Sequence, residues 1–199
     1  MAKVAAIILA AGLGARFKAA GGEGAKVLAR HQGEPMVRRV ARIALASRAR
    51  PVIVVTGAEP EGVKAALAGL DVALAHNPDF RDGLSTSLRA GLAALSGDCD
   101  AALILLADMP GIEPTLLDAM IAAFGARPSA MALVPVRGGR RGNPALVSRA
   151  MFGALRALTG DEGAGRLLRA AAAGTLVEVE APSDAIFQDA DTPEALRTI

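Results

Sequence analysis

Arg16, Lys26, Asp108, Asp189 and Asp191 are the charged residues whose surroundings suggest chemistry. Asp108 ends the apolar run Ala101–Ala107 and opens Asp108-Met109-Pro110. An acid at the tip of a strand buried on both faces lies at the edge of a sheet, where ligands bind, and not in the core. Asp189 and Asp191 have alternate spacing, so both face one side of an extended segment. Carboxylates placed this way suit a magnesium ion on a nucleotide, which takes one or two protein carboxylates and completes its shell with water and phosphate oxygens. The structural reading competes with this one. Asp108 could cap the following turn, and Thr192-Pro193-Glu194 has the N-cap, first-position proline and early acid of an ordinary helix start.

The cations flank a loop. The apolar strand Val4–Leu9 runs into Ala10-Ala11-Gly12-Leu13-Gly14-Ala15-Arg16-Phe17, and Lys26 follows a glycine-rich stretch. Small residues let the main chain approach a ligand closely, and its N–H groups can then face phosphate oxygens. A nucleoside triphosphate is the simplest ligand for such a loop with Arg16 and Lys26 beside it. A dinucleotide fingerprint is excluded because no third small residue follows Gly12-Leu13-Gly14 and the second strand ends in Thr56-Gly57 without an acid. A P-loop is excluded because Lys26 sits in Ala25-Lys26-Val27, not in Gly-Lys-Ser/Thr. The remaining alternative is a plain glycine-rich turn.

Further polar positions lie between these. Asn77 precedes a proline, and Gly83-Leu84-Ser85-Thr86-Ser87 places hydroxyls at a helix start, as caps or as partners for a base or ribose. Gly91 inside that helix is unfavourable by propensity and predicts close packing. The stretch Arg137–Asn143 holds Arg140 and Arg141 among glycines and reads as a solvated loop or as an anion-binding lip for a phosphorylated acceptor. His31 and His76 have no zinc-ligand spacing and read as surface or supporting residues.

At 199 residues the chain suits one domain spanning 1–199. Apolar residues make up 52% and aromatic ones 3%, with no tryptophan or tyrosine, which argues against base stacking on aromatics in a single-strand nucleic-acid module. The formal charge of +2 gives no broad basic footprint. The lone Cys99, the strand at the N-terminus and the lack of a long apolar run fit a cytoplasmic protein that neither binds nucleic acid nor enters a membrane.

Strands are predicted at 4–9, 52–56, 72–75, 101–106, 131–136, 176–180 and 186–188. Helices are predicted at 36–47, 61–68, 86–95, 115–124, 149–158 and 163–172. Residues 19–25 and 137–143 read as the least structured. The alternation predicts an α/β fold with a mostly parallel sheet and helices on both faces.

Taken in order, Leu9-Ala10-Ala11-Gly12 with Arg16-Phe17, Gly83–Gly91, Leu106–Pro110, Arg141–Pro144, Gly160–Ala164 and Asp189–Glu194 resemble the molybdenum-cofactor nucleotidyltransferases, most closely the cytidylyltransferase branch. The resemblance covers almost the whole chain. It implies a Rossmann-like domain of the nucleotide-diphospho-sugar transferase type and magnesium-dependent transfer of CMP from CTP to a molybdopterin-type cofactor, with manganese as an alternative ion and a molybdoenzyme as recipient of the product. Asp108 and Asp191 would hold the metal. Arg16 and Lys26 would neutralise the triphosphate, so that Arg16, Lys26 and Asp108 form the catalytic set. Leu9, Ala10, Ala11, Gly12, Gly14, Asn77, Gly83, Ser85 and Ser87 would line the nucleotide, and Arg140, Arg141 and Asn143 the acceptor.

One departure stands out. Lys18 occupies a position where the family has glycine, and residues 19–25 look like an insertion before Lys26. Lys26-Val27-Leu28 keeps the family register, with Lys18 as rival. The alternatives are a GTP-using transferase, a nicotinamide-dependent reductase of an aromatic substrate, and a non-catalytic cofactor carrier that would tolerate loss of both aspartates.

Overall fold

The computed structural model describes residues 2–95, 97–169 and 174–199. In chain order the strands are β1 (Val4–Ala10), β2 (Arg30–His31), β3 (Glu34–Pro35), β4 (Val52–Thr56), β5 (Ala73–His76), β6 (Ala101–Leu106), β7 (Ala132–Arg137), β8 (Arg140–Arg141), β9 (Ala145–Ser148) and β10 (Leu176–Glu180). The helices are α1 (Ala15–Ala19), α2 (Met36–Ala46), α3 (Pro60–Ala66), α4 (Leu84–Ala93), α5 (Pro114–Gly125), α6 (Phe152–Arg156), α7 (Ala164–Arg169) and α8 (Pro193–Thr198).

Every residue of β1 is buried, because β1 is central and covered on both faces. It pairs in parallel with β4 on one side and β6 on the other, with Ile8 opposite Val54 and Leu105. The strand period of two then sorts its side chains. Ala6 and Ile8 pack with Val40 of α2 and Leu117 of α5, whereas Ile7 and Leu9 pack with Leu88 of α4 and Leu155 of α6. A fully buried side chain of this size stabilises the fold by about 1.5–3 kcal/mol.

Among the described residues the main sheet runs β10-β7-β9-β6-β1-β4-β5, with β8 attached to β7. Strand β9 is antiparallel to both β6 and β7, and β10 is parallel to β7. The sheet is therefore mostly parallel, as expected. No described helix is long and apolar enough to cross a membrane.

Gly91 explains how α4 is held. A Cβ there would lie 2.5 Å from Ile7 Cγ2 and 3.1 Å from Val55 Cγ2. The helix thus presses on the β1–β4 seam, and the glycine serves packing against the sheet. Gly91→Ala is expected to lower the thermal midpoint even though alanine is the better helix former by about 1 kcal/mol, because overpacking a core costs about 1–3 kcal/mol. An unchanged or raised midpoint in a thermal melt overturns this account.

Several local expectations are corrected. The 137–143 stretch is a hairpin: Arg137 and Arg140 pair across Gly138 and Gly139, whose φ values are 55° and 75°. Two glycines at positive φ are what a tight hairpin turn requires. Strand β9 was not anticipated, because its residues Ala145–Ser148 are too few to show a period. Residues 186–188 do not form a strand; a 3-10 helix covers Asp184–Phe187. Helix α1 was not anticipated and ends where the stretch read as loose begins, and the 149–158 helix is split into a 3-10 turn and α6. His31 is buried beside the β2–β3 ladder and is not a surface residue. Part of the helix expected at 163–172 lies outside the described residues.

Candidate active site

Asp108 and Asp191 reach one point from distant parts of the chain. Asp108 follows β6, and its backbone carbonyl accepts a hydrogen bond from Ala190 N at 3.0 Å. That bond draws the 189–191 segment against the strand tip. Just beyond, the Thr192 hydroxyl accepts from Ala195 N at 3.1 Å, and Pro193 takes the first turn of α8, so the expected helix start is present. The capping residue and the site residue are therefore neighbours, and one does not replace the other.

Lys26 lies between the two acids. Its Nζ donates to Asp108 Oδ2 at 2.5 Å and to Asp191 Oδ1 at 2.8 Å. All three side chains are largely withdrawn from solvent, at 15–18% exposure. Arg16, mostly exposed on α1, forms an ion pair with the other oxygen of Asp191. Backbone geometry sets this arrangement. Gly14 has φ 63°, and a Cβ on it would lie 2.8 Å from Lys26 Cβ. The left-handed glycine turns the chain into α1 and lets the Lys26 backbone pack against the loop. Lys18 is exposed, does not line the cleft and makes no ion pair among the described residues.

Electrostatics follow from these contacts. Burial alone would lower the Lys26 ammonium, but the Asp108 charge and the hydrogen bonds of both carboxylates outweigh it, so its pKa is held above the ordinary 10.5. Partial desolvation pushes the Asp189 carboxyl above its usual 3.8; Asp191 and Asp108 push the same way and Lys26 opposes them. Asp189 itself is exposed and does not line the cleft. Oxygen donors from Asp108 and Asp191 converge on one cationic position, which fits a hard divalent ion. Among the described residues no group of three or more His, Cys, Asp or Glu is placed to hold a metal.

The cleft around this cluster encloses about 480 Å³. Of the residues that the resemblance assigns to the nucleotide, Leu9, Ala11, Gly12, Gly14, Gly83 and Ser87 line it with the charged group. Ala10, Asn77 and Ser85 do not. Ala10 is buried at the end of β1. Asn77 is 2% exposed and braces α4, donating to Thr86 Oγ1 at 2.8 Å and Ser87 Oγ at 3.0 Å. Ser85 is fully buried within α4. The wall also includes Phe80, Arg81, Leu106 and Asp161, which were not named as site residues. For Asp161 and Leu106 the signal was their place in the Gly160–Ala164 and Leu106–Pro110 motifs; Phe80 is an ordinary apolar residue in the sequence and carries no such signal.

A second cavity of about 390 Å³ adjoins the first and shares Leu9, Leu84 and Leu106 with it. Its floor is apolar, with Leu88, Ile104 and Val134, and Arg141 and Asn143 stand on its wall. Arg141 pairs with Glu178 at 2.7 Å. Arg140 does not line either cavity; its guanidinium lies over the Phe187 ring, 4.4 Å from the centroid.

Comparison with known proteins supplies the class. The family model for the MobA-like NTP transferase domain matches residues 6–176. The chain belongs to this family. The bifunctional protein GlmU of Geobacter metallireducens is 31% identical over 137 residues, which is 69% of this chain but only 28% of GlmU. This MobA-like chain also resembles nicotine blue oxidoreductase of Paenarthrobacter nicotinovorans, 28% identical over 97% of this chain and 94% of that protein. Among solved structures, Rv0371c of Mycobacterium tuberculosis superposes with a TM-score of 0.85 at 23% identity, covering 99% and 97% of the two chains. That protein has also been solved in complex with manganese. At this identity the likeness establishes the fold, a single α/β domain of the nucleotide-diphospho-sugar transferase type.

Proposed function

We propose that this chain is a magnesium-dependent cytidylyltransferase. It transfers CMP from CTP to the phosphate of a molybdopterin-type cofactor and releases pyrophosphate, and its product passes to a molybdoenzyme. The observation that carries the reading is the ion-paired group of Lys26, Asp108, Asp191 and Arg16 beside the glycine-rich loop after β1. The Leu9-Ala10-Ala11-Gly12 loop, similar to that of the CTP-using branch, supports the choice of base.

An oxygen of the acceptor phosphate attacks the α-phosphorus. A new P–O bond forms, the bond to the bridging oxygen of the β-phosphate breaks, and its electron pair leaves on pyrophosphate. The acceptor is already anionic near neutral pH, so no strong base is needed, and neither histidine lines the cleft. The barrier lies in bringing anions together, where positioning and electrostatics dominate. Lys26 and Arg16 offset the triphosphate charge. Asp108 and Asp191 would hold the divalent ion, which supplies further positive charge to the phosphate oxygens. Arg141 would leave Glu178 for the acceptor phosphate; both groups are about half exposed, and such a pair contributes only about 0–1 kcal/mol.

Thermal shift with each triphosphate and magnesium tests the base. At roughly a hundredfold excess over the dissociation constant a ligand stabilises by about 2.7 kcal/mol. CTP is expected to raise the midpoint more than GTP, and molybdopterin then to trigger pyrophosphate release. An equal or larger shift with GTP points instead to a guanylyltransferase.

The near full-length likeness to nicotine blue oxidoreductase favours a second reading, a nicotinamide-dependent reduction of an aromatic compound. Tight binding of NADPH without pyrophosphate release would select it.

A further inference from the structure

We propose that Asp161 distinguishes cytosine from uracil, with Ser87 as its hydrogen-bonding complement; this rests on the CTP reading above. Asp161 is exposed and lines the nucleotide cleft, yet it forms no hydrogen bond or ion pair among the described residues. An unpartnered carboxylate repels phosphate, so it belongs at the end of the nucleotide that carries N–H or O–H donors. Its backbone packs against Gly83 at the start of α4, and among the described residues its carboxylate pairs with neither Lys26 nor Arg16.

The backbone fastens it there. Gly83 has φ 106°, and a Cβ on it would lie 2.2 Å from the Gly160 carbonyl carbon and 2.7 Å from Asp161 N. Ser85 N donates to Gly160 O at 3.1 Å. The loop before α7 is thus clasped to the first turn of α4 by main-chain contacts that do not involve the Asp161 side chain.

Ser87 is the matching donor. Its hydroxyl oxygen accepts from Asn77 Nδ2 at 3.0 Å, which leaves its own proton for the cleft it lines. The Thr86 proton, by contrast, is used on the carbonyls of Gly83 and Asp79 at 2.8 and 3.0 Å. Leu84 and Phe80 add apolar surface on the same wall. One acceptor, one donor and an apolar face match a cytosine edge, which offers an amino group at N4 and an oxygen at O2. Uracil carries an oxygen at position 4, so the carboxylate would face like polarity where cytosine offers its amino group, and that hydrogen bond is lost.

The test is the affinity of magnesium CTP, UTP and GTP for the wild-type chain and for Asp161→Asn, Asp161→Ala and Ser87→Ala, by calorimetry. Wild type is expected to favour CTP over UTP by roughly ten- to a hundredfold, the range of one charge-assisted hydrogen bond. In Asp161→Asn the ratio is expected to fall close to one, because an amide can serve either base, and Asp161→Ala is expected to lose the ratio as well. Ser87→Ala is expected to weaken CTP and UTP alike, since both carry O2. An unchanged CTP/UTP ratio in the Asp161 variants overturns the assignment while leaving the CTP reading standing. A uniform loss across all three nucleotides also overturns it, since that marks a ribose or phosphate contact. A wild-type preference for GTP removes the CTP reading, and this assignment with it.

Discussion

Asp108→Asn is expected to lower kcat/KM by about two to three powers of ten, or ~3–4 kcal/mol, the loss seen when one preorganised electrostatic group is removed from an active site. The substitution keeps the shape of the side chain and removes its charge. The fold is expected to survive, because Lys26 keeps its 2.8 Å bond to Asp191 and no ammonium is left buried without a counter-charge. Pyrophosphate release reports the first effect, and circular dichroism with a thermal melt reports the second. Turnover like that of the wild type at low magnesium would remove Asp108 from the metal site. A carrier without catalytic function would also tolerate the change, so the same measurement bears on that alternative.

Lys26→Ala is expected to weaken triphosphate binding and slow transfer together, by about one to two powers of ten, as one charge-assisted hydrogen bond of about 1.5–3 kcal/mol is lost. Lys18→Ala is expected to be silent, since Lys18 lies outside the cleft. The lysine also links pH to stability. Its folded pKa is raised above the ordinary 10.5, so the stability it contributes is complete below that value and is lost as the pH rises through the higher folded one. Across neutral pH the ammonium is fully charged, and no titration of Lys26 is expected in the pH–rate profile below pH 10. If Lys18→Ala carries the whole loss and Lys26→Ala none, the phosphate loop closes earlier than this geometry implies.

The parts of the fold that were legible in the sequence are those where one local rule acts without competition. Continuous apolar runs marked β1, β4 and β6, because a strand covered on both faces needs no polar alternation. Thr192-Pro193-Glu194 marked the start of α8, and Gly91 marked a close helix–sheet contact. Where two rules compete, the reading failed. Gly138-Gly139 was taken as looseness, although the same residues make a hairpin turn. Family likeness placed Asn77 on the nucleotide, whereas its amide donates inside the protein to Thr86 and Ser87. Strand-tip position and alternate spacing pointed to Asp108 and the 189–191 acids, but the choice of Asp191 as the second ligand came from family likeness, and separations of 82 and 165 residues leave no local signal that Lys26 bonds both acids.

The reversed direction of β9 has a consequence for how specificity is inherited. Because β9 runs against β6 and β7, its beginning, at Asn143 and Ala145, reaches the same edge of the sheet as their ends. On the proposed reading, the wall that meets the acceptor is then drawn largely from chain after residue 134, while the phosphate-binding loop and Lys26 lie before residue 30. On that reading a chimaera that exchanges the β7–β9 segment between relatives, and leaves Asp161, Asp191 and the phosphate-binding loop in place, would change the partner that receives the nucleotide while leaving the nucleotide itself the same.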